Sequence, residues 1–130
     1  MFWPFGRPKP LGQHGEDLAR RFLRRGGMKI LARNYRCPAG EIDLIALDRS
    51  TSKSLGAETI VFIEVKTRRG TGLAGPEAAV DAPKRARVRH AADYYLHRHD
   101  TEGYRVRYDV VAIVLADGAP PEIRHIPGAF

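Results

Sequence analysis

The sequence predicts an α/β fold, a three-layer sandwich in which a central mixed β-sheet is flanked by helices. Three observations lead there. Two segments carry apolar residues at helical spacing, and five others alternate or run apolar as strands do. Their order is helix, three strands, helix, two strands. The chain has 130 residues, 43% of them hydrophobic, which is enough to bury a core within one domain.

Residues 1–11, broken by prolines, read as a flexible N-terminal arm without a targeting role, and 12–130 as a single domain. In "GQHGEDLARRFLRRGG" (12–27), Leu18, Ala19, Phe22 and Leu23 form an apolar stripe opposite Arg20, Arg21, Arg24 and Arg25, and Gly26-Gly27 supplies a C-cap. "MKILARNYR" (28–36) is a strand and "CPAG" (37–40) a turn. In "GEIDLIALD" (40–48), Ile42, Leu44 and Ala46 alternate with Glu41, Asp43, Ile45 and Leu47, so two acids share one face. "RSTSKSLGAE" (49–58) is a polar loop leading to the strand "VFIEVKTRR" (61–69), and the two strands are expected to form a hairpin. The Gly-rich, basic "TRRGTGLAGPE" reads as mobile. Asp81 caps a helix with Pro83 in its first turn and with Val88, Ala91, Ala92, Tyr95 and Leu96 on its apolar face. "YRVRYDVVAIVLA" (104–116) is a long strand, and "PEIRHIP" (121–127) a short one that its prolines assign to an edge.

Composition narrows the function classes. Lys and Arg number 22 against 15 Asp and Glu, a formal charge of +7, which favours a polyanionic partner. Cys37 is the single cysteine, so an internal disulfide and a cysteine zinc cluster are excluded, and a reducing cytoplasm fits. The longest charge-free apolar run, "VVAIVLA", falls far short of the roughly 18 residues of a membrane helix.

The strand "VFIEVKTRR" poses the chemical question. Val61, Ile63 and Val65 point one way, and Phe62, Glu64 and Lys66 the other, so two charges share a face within an apolar strand. If the preceding strand is its antiparallel neighbour, Asp43 stands beside Glu64. Cross-strand neighbours lie about 4.5–5.5 Å apart, where two carboxylates repel by about 3–4 kcal/mol at an effective dielectric near 20. Such a pair needs a proton, a basic partner or a divalent cation, and hard cations such as Mg²⁺ take oxygen ligands of this kind. The same spacing also suits an ordinary solvated bridge from Lys66 to Glu64 or Asp43. The apolar residues around the charges, Ile45 and Leu47 beside Asp43 and Ile60 and Phe62 beside Glu64, are more typical of a site.

An acid in the second strand followed by hydrophobic-Glu-x-Lys in the third resembles the PD-(D/E)XK nuclease superfamily, "EID" supplying the Asp and "EVK" the (D/E)XK element. The wider series "GQHGEDLARRFL", "ILARNYRCPAGEIDLIA", "VFIEVKTRR", "GPEAAVDAPKRARV" and "RYDVVAI", over about residues 12–114, is similar to the YraN-like bacterial family, related to Holliday-junction resolvases. The resemblance implies a restriction-endonuclease-like fold and a nuclease that hydrolyses phosphodiester bonds with Mg²⁺ or Mn²⁺, acting on nucleic acid, with structured or single-stranded DNA favoured over RNA as the substrate. It implies Asp43, Glu64 and the Val65 backbone carbonyl as metal ligands, and Lys66 as the group that serves the attacking water or the phosphate. Glu16 matches an acid of the first helix in resolvase-like members, although a first-turn Glu complementing the helix dipole is the plainer reading. Glu41 is either an auxiliary ligand or a solvated strand-end acid.

Arg68, Arg69, Lys84, Arg85 and Arg87 are the candidate phosphate contacts, which supply affinity without sequence information. Arg107 and Asp109 share a face and suit an internal ion pair, and the five histidines show no metal-ligand spacing. No membrane contact is expected, a homodimer is compatible with a resolvase-like role, and the competing reading is a nucleic-acid-binding protein that keeps the fold without catalysis.

Overall fold

The computed structural model describes residues 11–70 and 80–130. The expected arm up to residue 10, and the part of the Gly-rich segment from residue 71 onward, lie outside the described residues. The elements are α1 (Leu11–Arg25), β1 (Lys29–Cys37), β2 (Gly40–Asp48), α2 (Thr51–Leu55), β3 (Thr59–Arg69), α3 (Ala82–Arg98), β4 (Arg105–Leu115) and β5 (Glu122–Ile126). The strands form one mixed sheet in the order β1-β2-β3-β4-β5. β3 and β4 run parallel and the other neighbours antiparallel. The prolines around β5 do mark an edge strand. The fold is an α/β three-layer sandwich.

α1 and α3 each cover one face, and β3 feeds both. Val61 and Ile63 of β3 pack with Ala19 and Leu23 of α1, Leu44 and Ala46 of β2 and Val111 and Ile113 of β4. Ile60 and Phe62 face the other way, against Val88, Ala91, Ala92 and Tyr95 of α3. This is the alternation the sequence predicts for β3, and it explains why a strand buried on both sides reads as nearly continuous apolar residues. Phe22 departs from the expected stripe. It is 38% exposed and lies edge-on to His125, with ring centroids 6.5 Å apart, because it falls beyond the arc of α1 that meets the sheet.

Local chemistry sets the ends of the helices. Gly27 takes φ 95°, and Met28 N–H donates to the Leu23 carbonyl at 3.0 Å while Gly27 N–H donates to that of Arg24, a glycine-dependent C-cap. Asp81 accepts from Lys84 N–H at 2.8 Å, the predicted N-cap of α3. Gly15 sets how close α1 comes to the sheet, since a Cβ there would overlap the Thr67 side chain of β3. The loop expected at 49–58 contains the short helix α2. Asp48 accepts from both the N–H and the hydroxyl of Ser50, and the Thr51 hydroxyl is buried against that of Thr59 at 2.8 Å. Polar residues close this turn onto the sheet, so their polarity alone does not make it a loose loop.

Candidate active site

The β2–β3 ladder runs from Asp48↔Thr59 to Leu44↔Ile63. If it continued, the Val65 N–H would bond to the backbone of Ile42. It donates instead to Asp43 Oδ2 at 2.8 Å, so the two strands part there and a carboxylate fills the gap. Asn34 of β1 marks the same point from the other side, with φ 48°, a left-handed conformation that Asn tolerates better than most residues. Leu44 faces α1, whereas Ile42 and its β1 partner Tyr35 join the cluster under α3. The expectation that Ile42, Leu44 and Ala46 share a face, with Asp43 on the side of Ile45 and Leu47, is therefore corrected. The alternation breaks at Asp43, because pairing with β3 ends there and the β1–β2 pair kinks at Asn34, so β2 no longer keeps the period of two although it stays paired with β1.

Asp43 and Glu64 come together at this splayed end without being directly opposed in the ladder, their carboxyls close enough that the charge of Asp43 acts on Glu64. Burial pushes the Glu64 carboxyl up, the charge of Asp43 adds to the effect, and Lys84 opposes both, leaving Glu64 at about 7. Burial also raises Asp43, against the lowering effects of the Val65 amide and Lys84. Glu16 is raised by burial and then by the nearby charge of Asp43, while the Asn34 side chain opposes the shift. Glu16 lies in the second turn of α1, and no acid occupies the first turn, so the plainer reading as a first-turn residue is set aside. The tight approach at Gly15 carries it to the site.

The cations are arranged less predictably. Lys84 reaches across from α3 and places Nζ 3.2 Å from Glu64 Oε1, with 9% of the Glu64 side chain exposed and 30% of Lys84. Lys66, expected to be the basic partner within β3, is half-buried and forms no ion pair among the described residues. Glu41 is exposed and pairs with Arg36 Nε at 3.3 Å. Arg36 separates two clefts. One, of about 440 Å³, is lined by Arg36, Cys37, Gly40, Glu41, Lys84 and Arg87. The other, of about 530 Å³, is lined by Gly12, Gln13, Glu16, Asn34 and Arg36. Arg68 and Arg69 end β3, and Arg85 follows Lys84 in the first turn of α3, so all five candidate phosphate contacts lie on the elements that border the site.

Among the described residues no three His, Cys, Asp or Glu side chains converge closely enough to hold a metal ion by themselves. The donor set suits a hard cation nonetheless. Mg²⁺ commonly uses one or two carboxylates and completes its shell with water and substrate oxygens. Asp43 and Glu64 are two such carboxylates, desolvated and mutually repelling. The Val65 carbonyl adds a third oxygen, since a strand residue directs its C=O to the same side as its N–H, and that N–H meets Asp43.

Sequence reasoning missed the part played by Asn34, although an Asn inside a strand is a depleted residue type and hence a signal. It also missed the second charged cluster. Asp109 is fully buried and accepts from Arg107 at 2.8 and 2.9 Å, from the Gly128 amide at 3.0 Å and from His125 Nε2 at 2.7 Å. Arg107 also reaches Asp48 at 3.0 Å. The Arg107–Asp109 pair was legible from spacing, but His125, which joins from β5, was not.

The fold and site thus define an α/β sandwich protein with a desolvated acid pair and two lysines at the end of its central strands. Residues 15–113 match the model of the Uncharacterised protein family UPF0102, the YraN-like family, and the chain belongs to it. It is 46% identical over 125 residues to a UPF0102 protein of Nocardia farcinica, covering 96% of this chain and 92% of the relative. It is also 45% identical over 120 residues to a UPF0102 protein of Rhodococcus opacus, covering 92% and 95%. A UPF0102 protein of Solibacter usitatus shares 45% identity over 125 residues, covering 95% and 87%. Among the described residues no helix is long and apolar enough to cross a membrane.

Proposed function

We propose that this chain is a divalent-metal-dependent nuclease of the PD-(D/E)XK type, hydrolysing phosphodiester bonds in structured or single-stranded DNA. The observation that carries the reading is the site at the parting of β2 and β3, where Asp43 and Glu64 are held together, largely out of water, against their own repulsion. An arrangement that raises the energy of the empty fold is expected where a ligand later relieves it.

The residues divide the work. Asp43 and Glu64, with the Val65 carbonyl, would hold Mg²⁺ or Mn²⁺, and Glu16, whose carboxyl is raised by the charge of Asp43 beside it, would help to hold the cation or its water. The cation, when bound, supplies neutralisation of the acid pair and polarisation of the phosphate. Lys66, on Glu64's side of β3, donates to a phosphate oxygen and stabilises the charge that builds as water attacks phosphorus and the phosphorus–oxygen bond to the leaving nucleotide breaks. Arg68, Arg69, Arg85 and Arg87 take flanking phosphates, which suits the net charge of +7.

The test is a cleavage panel of single-stranded, flapped and branched DNA and matching RNA, with Mg²⁺, Mn²⁺ or chelator, beside Glu64→Ala. Cleavage that needs metal and is lost in Glu64→Ala, Asp43→Ala and Lys66→Ala supports the reading. Equal activity in Asp43→Ala or Lys66→Ala overturns the site. Salt-sensitive binding without turnover under any metal would favour the non-catalytic nucleic-acid-binding reading.

A further inference from the structure

Lys84 stands out because it touches the site from another layer. The cation expected at the acid pair was Lys66, two residues along the same strand. The ammonium that meets Glu64 comes instead from the first turn of α3, 3.2 Å from Oε1. Its backbone is fixed there, the N–H bound to the Asp81 cap at 2.8 Å, so the α3 layer presents this side chain to the sheet by construction. Lys84 also lines the basic cleft between α3 and the β1–β2 turn, together with Arg36 and Arg87. Its Nζ can therefore face either the buried carboxylate or an open, positively charged cleft by rotation of its own side chain.

We infer that Lys84 is a built-in counter-ion of the acid pair, occupying the Glu64 carboxylate in the metal-free protein, competing with the divalent cation for it, and turning into the cleft to take a substrate phosphate once displaced. The inference rests on the metal-dependent reading above and adds a regulation of that site. Two positive charges compete for one carboxylate, so the Lys84 pair opposes the approach of the cation to Glu64 and is weakened when the cation binds. A lysine suits this exchange, being a compact charge on a flexible stem with little geometric demand on its partner. The exchange also orders events, because the phosphate contact of Lys84 becomes available only after the cation is in place. In a purely structural role, Lys84 would clasp α3 to β3 whether or not metal is present.

The experiment uses the full-length chain with Lys84→Met, with Lys84→Gln as a second variant that keeps a polar end, and with Lys53→Met as a control for the loss of one exposed lysine on α2. Folding is checked by circular dichroism. Titration calorimetry with Mn²⁺ alone should show both Lys84 variants binding the metal roughly tenfold more tightly than the parent, with the control unchanged. Affinity for a single-stranded oligonucleotide, measured with Ca²⁺ to limit turnover and again with chelator, should fall several-fold in the Lys84 variants only when Ca²⁺ is present. Unchanged or weaker Mn²⁺ binding in both Lys84 variants overturns the inference while leaving the proposed function standing. Equal loss of oligonucleotide affinity with and without Ca²⁺ also overturns it. Absence of Mn²⁺ binding in parent and variants alike removes the proposed function, and the inference with it.

Discussion

Glu64→Gln separates a strained ligand site from a stabilising salt bridge. A carboxyl that ionises at about 7 in the fold, against an ordinary 4.5, costs the folded state about 3 kcal/mol once fully ionised, at about 1.4 kcal/mol per pH unit. Between those two values the folded protein keeps a proton that the unfolded chain has released. The metal-free protein therefore loses stability as pH rises from 4.5 to about 7 and is flat above. Gln mimics the protonated form and removes the cost. It also removes the pair with Lys84, whose side chain is 30% exposed and returns to water with little loss. The net gain at pH 8 in chelator is then about 2 kcal/mol, or roughly 5–10 °C in Tm. It should disappear below pH 4.5, where parent and variant both carry a neutral side chain. Urea unfolding at pH 4, 6 and 8 measures this directly, and adding Mg²⁺ should stabilise the parent and leave the variant unmoved. A variant less stable than the parent at pH 8 would refute the reasoning, since the Lys84–Glu64 pair would then be a net stabilising bridge.

Three further outcomes follow from the geometry. Gly15→Ala should destabilise by about 1–3 kcal/mol, because the added Cβ meets Thr67, and Thr67→Ala in the same chain should recover only part of that, since the Thr67 Cβ itself lies 2.8 Å from the added atom; urea unfolding of the pair shows it. His125→Ala leaves the buried Asp109 short of one partner and should cost about 1–3 kcal/mol. Its metal response should be unaltered in calorimetry, because Asp109 lies on the face of the sheet away from Glu64. The Asp109 carboxyl is held below its usual range, burial being outweighed by His125, Arg107 and the Gly128 amide, so the stability this network supplies is present above pH 3.8 and lost as pH falls below it. Arg85→Ala and Arg87→Ala should each reduce the slope of log affinity against log salt for single-stranded DNA by about 0.7, without altering Mn²⁺ binding.

The limits of the alternation rule explain what could be read at the site. Period two assigned Val61, Ile63 and Val65 to one side of β3 and Phe62 and Glu64 to the other, as observed, because β3 stays within its ladder past Glu64 through its pairing with β4. The same rule failed for Ile42 in β2, because pairing with β3 stops at Leu44 and the β1–β2 pair, which continues to Gly40, kinks where Asn34 takes φ 48° opposite Asp43. A side-chain pattern records which way a residue points only while the pleat stays regular, as it does when neighbours hold the strand on both sides. Where the register ends, the direction of a side chain is set by what it finds to bond, which for Asp43 is the Val65 amide.

By itself the sequence determined the order of the elements, the caps at Gly27 and Asp81, the two-sided burial of β3, and the presence of two acids and a lysine in adjacent strands. Each of these is written in residues a few positions apart, where propensity and period act directly. The tertiary structure alone decided that the strands part at Asp43, that close packing at Gly15 brings Glu16 to the pair, that His125 closes on Asp109, and that Lys84 meets Glu64. Those contacts join residues far apart in the chain or carried on different layers, and they exist only because two helices press on opposite faces of one sheet. Charges that no local pattern couples are forced together by the packing of the apolar residues around them.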